Sequence, residues 1–244
     1  MENIQNPPHP HGWGQDPLTK YLDDCRNNQF ATFANKRSEL ADLKSIDGMF
    51  RKLLVGAVDV RPFLPASFLL RAHSAFLAAT GSVMAGQLNE AQTQLRLCIE
   101  QGAYAFFIGD DSARWERWMR RNDSPVATKA VRKEFQHVAV AKHITDAAPK
   151  LGQIYETLYN GFIDYGAHPN QMGASMSTTL EETENGDVTI NTVYLHEDGM
   201  PLNLALKRTA QTGIWVLRIA KEIYPQRAQI TGVEYTLEQI SQNF

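Results

Sequence analysis

Residues 176–196 read MSTTLEETENGDVTINTVYLH, and they decide the fold class because the apolar period changes there. In the second half, Val188, Ile190 and Tyr194 recur by twos, the spacing of side chains on one face of a strand. Asn185-Gly186 lies at the centre. This dipeptide tolerates the positive φ that both central residues of a type I′ turn require. The pattern predicts two strands, at about 175–183 and 188–195, joined as a hairpin. A two-stranded ribbon alone is marginal in water, so it must lie on other elements or pair with another chain. Glu181 and Glu182 put charge on the ribbon, which discourages edge-to-edge aggregation.

On both sides of this segment the period is helical. From Leu18 to about Leu54, the residues Leu22, Phe30, Phe33, Leu40 and Leu43 recur at helical intervals. RPFLP at 61–65 is a breaker. A helix from Ala66–Ser67 to about Ala85 follows, with Gly86 as its C-cap. Asn89 reads as the N-cap of the next, which runs to about Ile108 and ends at Gly109-Asp110-Asp111. SARWERWMRRNDSP is a short helix, and Ser124-Pro125 starts another that runs to about Ala147. Pro149 ends or kinks it, and 150–167 is helical again through Ile154, Leu158 and Phe162. After the hairpin, GMP at 199–201 closes the insertion. A last long helix, about 202–223, has Leu204, Leu206, Ile214, Leu217 and Ile219 as core candidates, and the tail 226–244 holds one short strand or helix. The expectation is a mainly α fold: a bundle of five to seven helices with one β-hairpin, about 175–195, inserted before the last long helix. Residues 1–17, with four Pro and two Gly, form an irregular arm; 18–244 form a single domain.

The chain has 244 residues, ample for a real core, with 43% hydrophobic and 21% charged residues. A formal charge of −3 does not advertise nucleic-acid binding over the whole surface. Cys25 and Cys98 share no metal-like spacing and read as reduced thiols. The N-terminal residues lack the pattern of a secretory signal. The longest apolar stretch, 68–86, is interrupted by Arg71 and His73, so no membrane span is expected, and the protein reads as cytoplasmic. His9 and His11 supply too few ligands for a closed metal site. There is no GxGxxG, GxxxxGK[ST], HExxH or GxSxG, and neither cofactor nor metal is expected.

Four constellations carry polar chemistry. Arg96, Glu100 and Tyr104 stack at i, i+4 and i+8 beside Leu95, Ile99, Ala103 and Phe106. They read either as a structural ion pair or as a polar cluster at the mouth of a pocket. Asp164 and His168 lie one turn apart before Pro169. The histidine either serves the helix end, or is poised for acid–base work with Asp164 as its orienter. Arg132 and His137 have an Arg-x4-His spacing, but on one straight helix they would point roughly 140° apart. Between Arg114 and Lys133, seven basic residues (Arg114, Arg117, Arg120, Arg121, Lys129, Arg132, Lys133) stand against Glu116 and Asp123, a local +5 with Trp115 and Trp118 interleaved. That segment is either a solvated face with its tryptophans inward or a grip for single-stranded nucleic acid.

Three pieces, LRLCIEQGAYAFFIGDD, RWERW and LGQIYETLYNGFIDYGAHPN, carry a resemblance over about 90–170. In order and spacing they resemble bacterial all-helical proteins described as HEPN-like. The positions concerned are Arg96, Glu100, Tyr155, Tyr159, Asp164 and His168. The resemblance implies an all-α bundle and no established activity; Arg132 and His137 also fit the Arg-x4-His pattern of HEPN-type ribonucleases. Arg96 and Glu100 are expected to face Asp164 and His168 across two helices, with Tyr104 and Tyr159 nearby, as a ligand-binding cluster or a structural one. Three functions follow. The leading one is a non-enzymatic interaction or scaffold protein, associating with itself or a protein partner through the hairpin or an apolar helix face. The others are a small anionic-ligand module at the cluster, and a metal-independent ribonuclease using Arg132 and His137, or Arg96 and His168.

Overall fold

A computed structural model describes residues 9–58, 60–169, 171–182 and 185–244. Residues 1–8 of the expected arm, and Thr183 at the end of the first expected strand, lie outside them. The long helices are α1 (Pro17–Asn35), α2 (Arg37–Leu54), α3 (Phe63–Met84) and α4 (Leu88–Gly109). Shorter ones follow: α5 (Ser112–Met119), α6 (Pro125–Glu134), α7 (His137–Ala147) and α8 (Pro149–Phe162), the last running into a π-helical turn at Ile163–Ala167. Then come α9 (Gln171–Ser177), strands β1 (Thr178–Glu182) and β2 (Val188–Thr192), and the long α10 (Met200–Ile223). The short α11 (Pro225–Ile230) and α12 (Val233–Ile240) close the chain. The fold is mainly α with one antiparallel hairpin before the final long helix.

The bundle is built around α10. From Thr212 to Leu217 every residue is buried, as in a helix surrounded on all sides. Glycines permit the close approach. A Cβ on Gly213 would lie 2.6 Å from Ile46 of α2 and 2.8 Å from Phe76 of α3. A Cβ on Gly102 of α4 would lie 3.0 Å from the Trp215 ring. Trp215 donates its indole N–H to the Leu151 carbonyl of α8 at 2.9 Å, so its one polar atom is satisfied inside the core. Leu206, Ile214, Leu217 and Ile219 are buried as their spacing predicts, whereas Leu204 is 41% exposed on the outer face of α10.

Helix α1 is held differently. Asn28, Gln29 and Thr32 donate to the Ala85, Gly81 and Met84 carbonyls at the C-terminus of α3; the last carbonyls of a helix have no partner within it, and two of these bonds supply one. Its apolar residues stay largely uncovered: Leu18 is 65%, Leu22 42% and Phe30 57% exposed. The described part of the arm folds back on α1, where the Trp13 indole and the Arg26 guanidinium both donate to Asp23.

Several expected boundaries move. The helix expected from Ser124 to Ala147 breaks at Phe135-Gln136, where Gln136 is extended (φ −65°, ψ 145°). Ser124 does cap α6, accepting from the Ala127 N–H at 3.1 Å. Asn89 does not cap α4, which starts one residue earlier; its amide reaches the Gly173 carbonyl instead. The tail holds two short helices rather than one element.

The hairpin register also differs from the two-residue turn. Thr178 pairs with Thr192, Leu180 with Ile190, and Glu182 with Val188. A two-residue turn at Asn185-Gly186 would instead put 182 opposite 189; Gly186, between Glu182 and Val188, has φ +82°. The first strand starts at Thr178 rather than 175 because α9 persists: the Ser175, Ser177 and Thr178 hydroxyls all donate back to its carbonyls. Beyond β2, the His196 N–H donates to the Gly86 carbonyl at 2.9 Å. Gly86 both ends α3, at φ +85°, and admits the segment that follows β2, since a Cβ there would lie 2.5 Å from the His196 oxygen. Among the described residues no helix is long and apolar enough to cross a membrane.

Candidate functional site

The polar cluster is built by α4, α8 and the π turn. On α4, Arg96 and Glu100 are one turn apart, and the Arg96 Nε–H donates to Glu100 at 2.9 Å. On α8, Tyr159 accepts from the Arg96 Nη2–H at 3.0 Å. After the π turn, the His168 Nε2 lies 2.6 Å from the Arg96 Nη1. An arginine only donates, so that imidazole nitrogen is the acceptor of the pair. One guanidinium thus ties three segments together. Burial alone would loosen the proton on Arg96, but the bonds to Glu100 and Tyr159 outweigh it and hold its pKa above the usual value. Burial pushes the Tyr159 hydroxyl up, against the pull of Arg96.

The π turn determines which residues arrive. In an uninterrupted α-helix, Asp164 and His168 would share a face. Here five residues are π-helical, and Gly166 leaves helical geometry at φ +134°. The backbone turns His168 toward Arg96 and leaves Asp164 exposed, outside every bond of the cluster. The expected Asp164–His168 partnership is therefore absent. A Cβ on Gly166 would meet the Asn89 backbone at 3.3 Å, so this tight approach also needs glycine.

A second histidine enters from α7. The His137 ring stacks on Tyr159 at 3.8 Å between centroids and lies 5.5 Å from Tyr155. Its Nε2 is buried without a hydrogen-bond partner. Burial lowers its pKa from 6.5, against the opposing pull of Glu156 and Glu100. The break at Phe135-Gln136 is what aims it inward. Arg132, on the other side of that break, is exposed beside Ser124, Thr128 and Lys129, so the Arg132–His137 pair does not converge. Tyr104 serves the break rather than Arg96: its hydroxyl donates to the Phe135 carbonyl at 3.0 Å, and its ring packs on Phe68, Trp118 and Phe135.

The basic segment is largely neutralised within the chain. Arg117 makes two bonds to Glu134, Arg114 pairs with Asp110, Asp111 and Glu134, and Arg120 pairs with Asp123. Trp115 and Trp118 pack against the core, and Arg121 covers the Trp118 ring at 4.6 Å. What remains outward is Lys129, Arg132 and Lys133, without an exposed ring among them.

Two features had no signal in the sequence. His73, 6% exposed, pairs with Asp47 at 2.7 Å and stacks on Phe50, a polar pair within the core. Arg208 of α10 covers the Tyr165 ring of the π turn at 4.1 Å. Among the described residues, no group of three or more His, Cys, Asp or Glu is placed to hold a metal ion. No family model, curated protein or solved structure matches the chain.

Proposed function

We propose that the protein is a non-enzymatic helical interaction module that associates with a second copy of itself through the hairpin. The observation that carries this reading is an apolar ladder on one face of a ribbon that no other described strand pairs. Leu180, Val188 and Ile190 share that face, with Glu182 at its loop end and Thr178 and Thr192 at the other, and are 69%, 62% and 69% exposed. Covering such a side chain fully is worth about 1.5–3 kcal/mol. Tyr194 and Leu18 line a groove beside the ribbon and extend the apolar surface toward α1.

The two ribbon edges differ. β1 carries Glu181 and Glu182, and pairing it with its own copy would gather both sets of carboxylates. β2 reads VTINT and has no charge. A two-fold antiparallel pairing of β2 with β2 around Ile190 would give a four-stranded sheet with both apolar ladders on one face. The reading is tested with Ile190→Lys. The variant should elute as a monomer where the wild type elutes as a dimer, with the same melting temperature at high dilution. An unchanged elution volume in the variant would refute it.

A second reading, an anionic-ligand or ribonuclease site, draws on His137, whose buried nitrogen lacks a partner beside Arg96 and Tyr159. It predicts a rise in melting temperature with inorganic phosphate. It also predicts RNA cleavage that is lost in both His137→Ala and His168→Ala. RNA left intact by the wild type would remove the ribonuclease form.

A further inference from the structure

We propose that the cleft between α8, α10 and the C-terminal turn binds a small carboxylate with an apolar body. The cleft has a volume of about 320 Å³ and is separate from the Arg96 cluster. That volume is at the small end of the ~300–1,000 Å³ usual for ligand pockets. Its floor is Ile154, Leu158, Ile214 and Trp215. Leu158, Ile214 and Trp215 are buried, so the floor is fixed by the same packing that holds α10 in place.

The rim supplies the chemistry. Arg218 lies one turn beyond Ile214 on α10 and lines the cleft. It is half-buried, and no carboxylate of the described residues pairs with it. Arg96, Arg114, Arg117 and Arg120 have acidic partners; Arg121 and Arg208 lack one but cover aromatic rings, and Arg227 donates to backbone carbonyls, whereas Arg218 does neither among the described residues. Gln153 and Gln211 line the same cleft, and their carboxamides likewise have no partner among the described residues. A planar guanidinium matches a carboxylate with two parallel hydrogen bonds, and carboxamides lining the same cleft are further donors. An apolar floor below a single cation selects a ligand with one acid group and a hydrocarbon body, not a polyanion.

The test uses 3-phenylpropanoate and its neutral counterpart 3-phenylpropan-1-ol, titrated calorimetrically into the full chain. The acid should bind with a Kd below about 1 mM, and the alcohol at least tenfold more weakly. Arg218→Gln should weaken the acid about tenfold and leave the alcohol unchanged. Thr157→Trp, which places bulk on the exposed rim, should abolish binding of both. Circular dichroism and melting temperature establish that each variant is folded. If Arg218→Gln is destabilised, Arg218→Lys replaces it, and should lose affinity for the acid because the fork is gone. Equal binding of acid and alcohol, indifference of the acid to the Arg218 variants, or no binding of either probe would overturn the proposal.

Discussion

The Arg96 cluster and the hairpin stand at opposite extremes of the same molecule. In the cluster, Arg96 directs donors to Glu100, Tyr159 and His168, and three segments are fixed by one side chain. In the hairpin, the backbone is paired once, and the apolar residues of one face are left to solvent. The difference separates two uses of sequence. Polar groups between α4, α8 and the π turn are spent on holding the chain together, so perturbing them should be read out as stability. Apolar groups on the ribbon contribute little to the monomer, so perturbing them should be read out as association.

Substitutions in the two regions should differ in size and in kind. Trp215→Ala removes the largest fully buried side chain, together with its bond to Leu151, and should cost about 3–5 kcal/mol in a urea titration. Gly152→Ala should cost about 1–3 kcal/mol, because the new Cβ would lie 2.6 Å from the Thr145 Cα, a backbone atom that cannot swing away. That sign is the reverse of the gain of about 1 kcal/mol that the same change brings in an open helix interior. Tyr159→Phe removes the hydroxyl that accepts from Arg96 and should cost about 0.5–1.5 kcal/mol, with the denaturant slope unchanged. Ile190→Lys should change monomer stability by less than about 0.5 kcal/mol, as an exposed substitution does, while abolishing association.

The pH dependence follows from two histidines. Burial lowers the pKa of His137 and of His196 below the 6.5 of the unfolded chain. The unfolded state then binds more protons just below that value, so stability rises with pH in this range. Their contribution is complete above pH 6.5 and is lost as the pH falls below it. The melting temperature should drop between pH 7.5 and 5.5, and His137→Phe, which keeps a flat ring against Tyr159, should shrink the drop without removing the His196 share. A drop of the same size in that variant would show that His137 is not one of the groups responsible.

The contrast also explains what was legible in the sequence. The change of period at residue 188, the Ser124 cap and the turn at Gly86 are local signals, and the structure carries all three. The Arg96–Glu100 pair is local as well, being one helical turn. The partnership of Arg96 with His168 could be anticipated from two helices each presenting polar groups, but the loss of Asp164 could not. It depends on a π turn and on one glycine at φ +134°, neither of which has a periodic signature. The stacking of His137 on Tyr159 was hidden for a related reason. Reading 124–147 as one straight helix pairs His137 with Arg132, and only the break at Phe135-Gln136 redirects it. The register of the hairpin escaped because Asn185-Gly186 is compatible with turns of more than one length.

The most direct test of the central claim is the mass of the wild-type chain by sedimentation equilibrium over a wide concentration range. The mass should approach twice the chain's 27.4 kDa reversibly, with the β2 amides slowed in hydrogen exchange as the dimer forms. A mass that stays at 27.4 kDa at every concentration would contradict it.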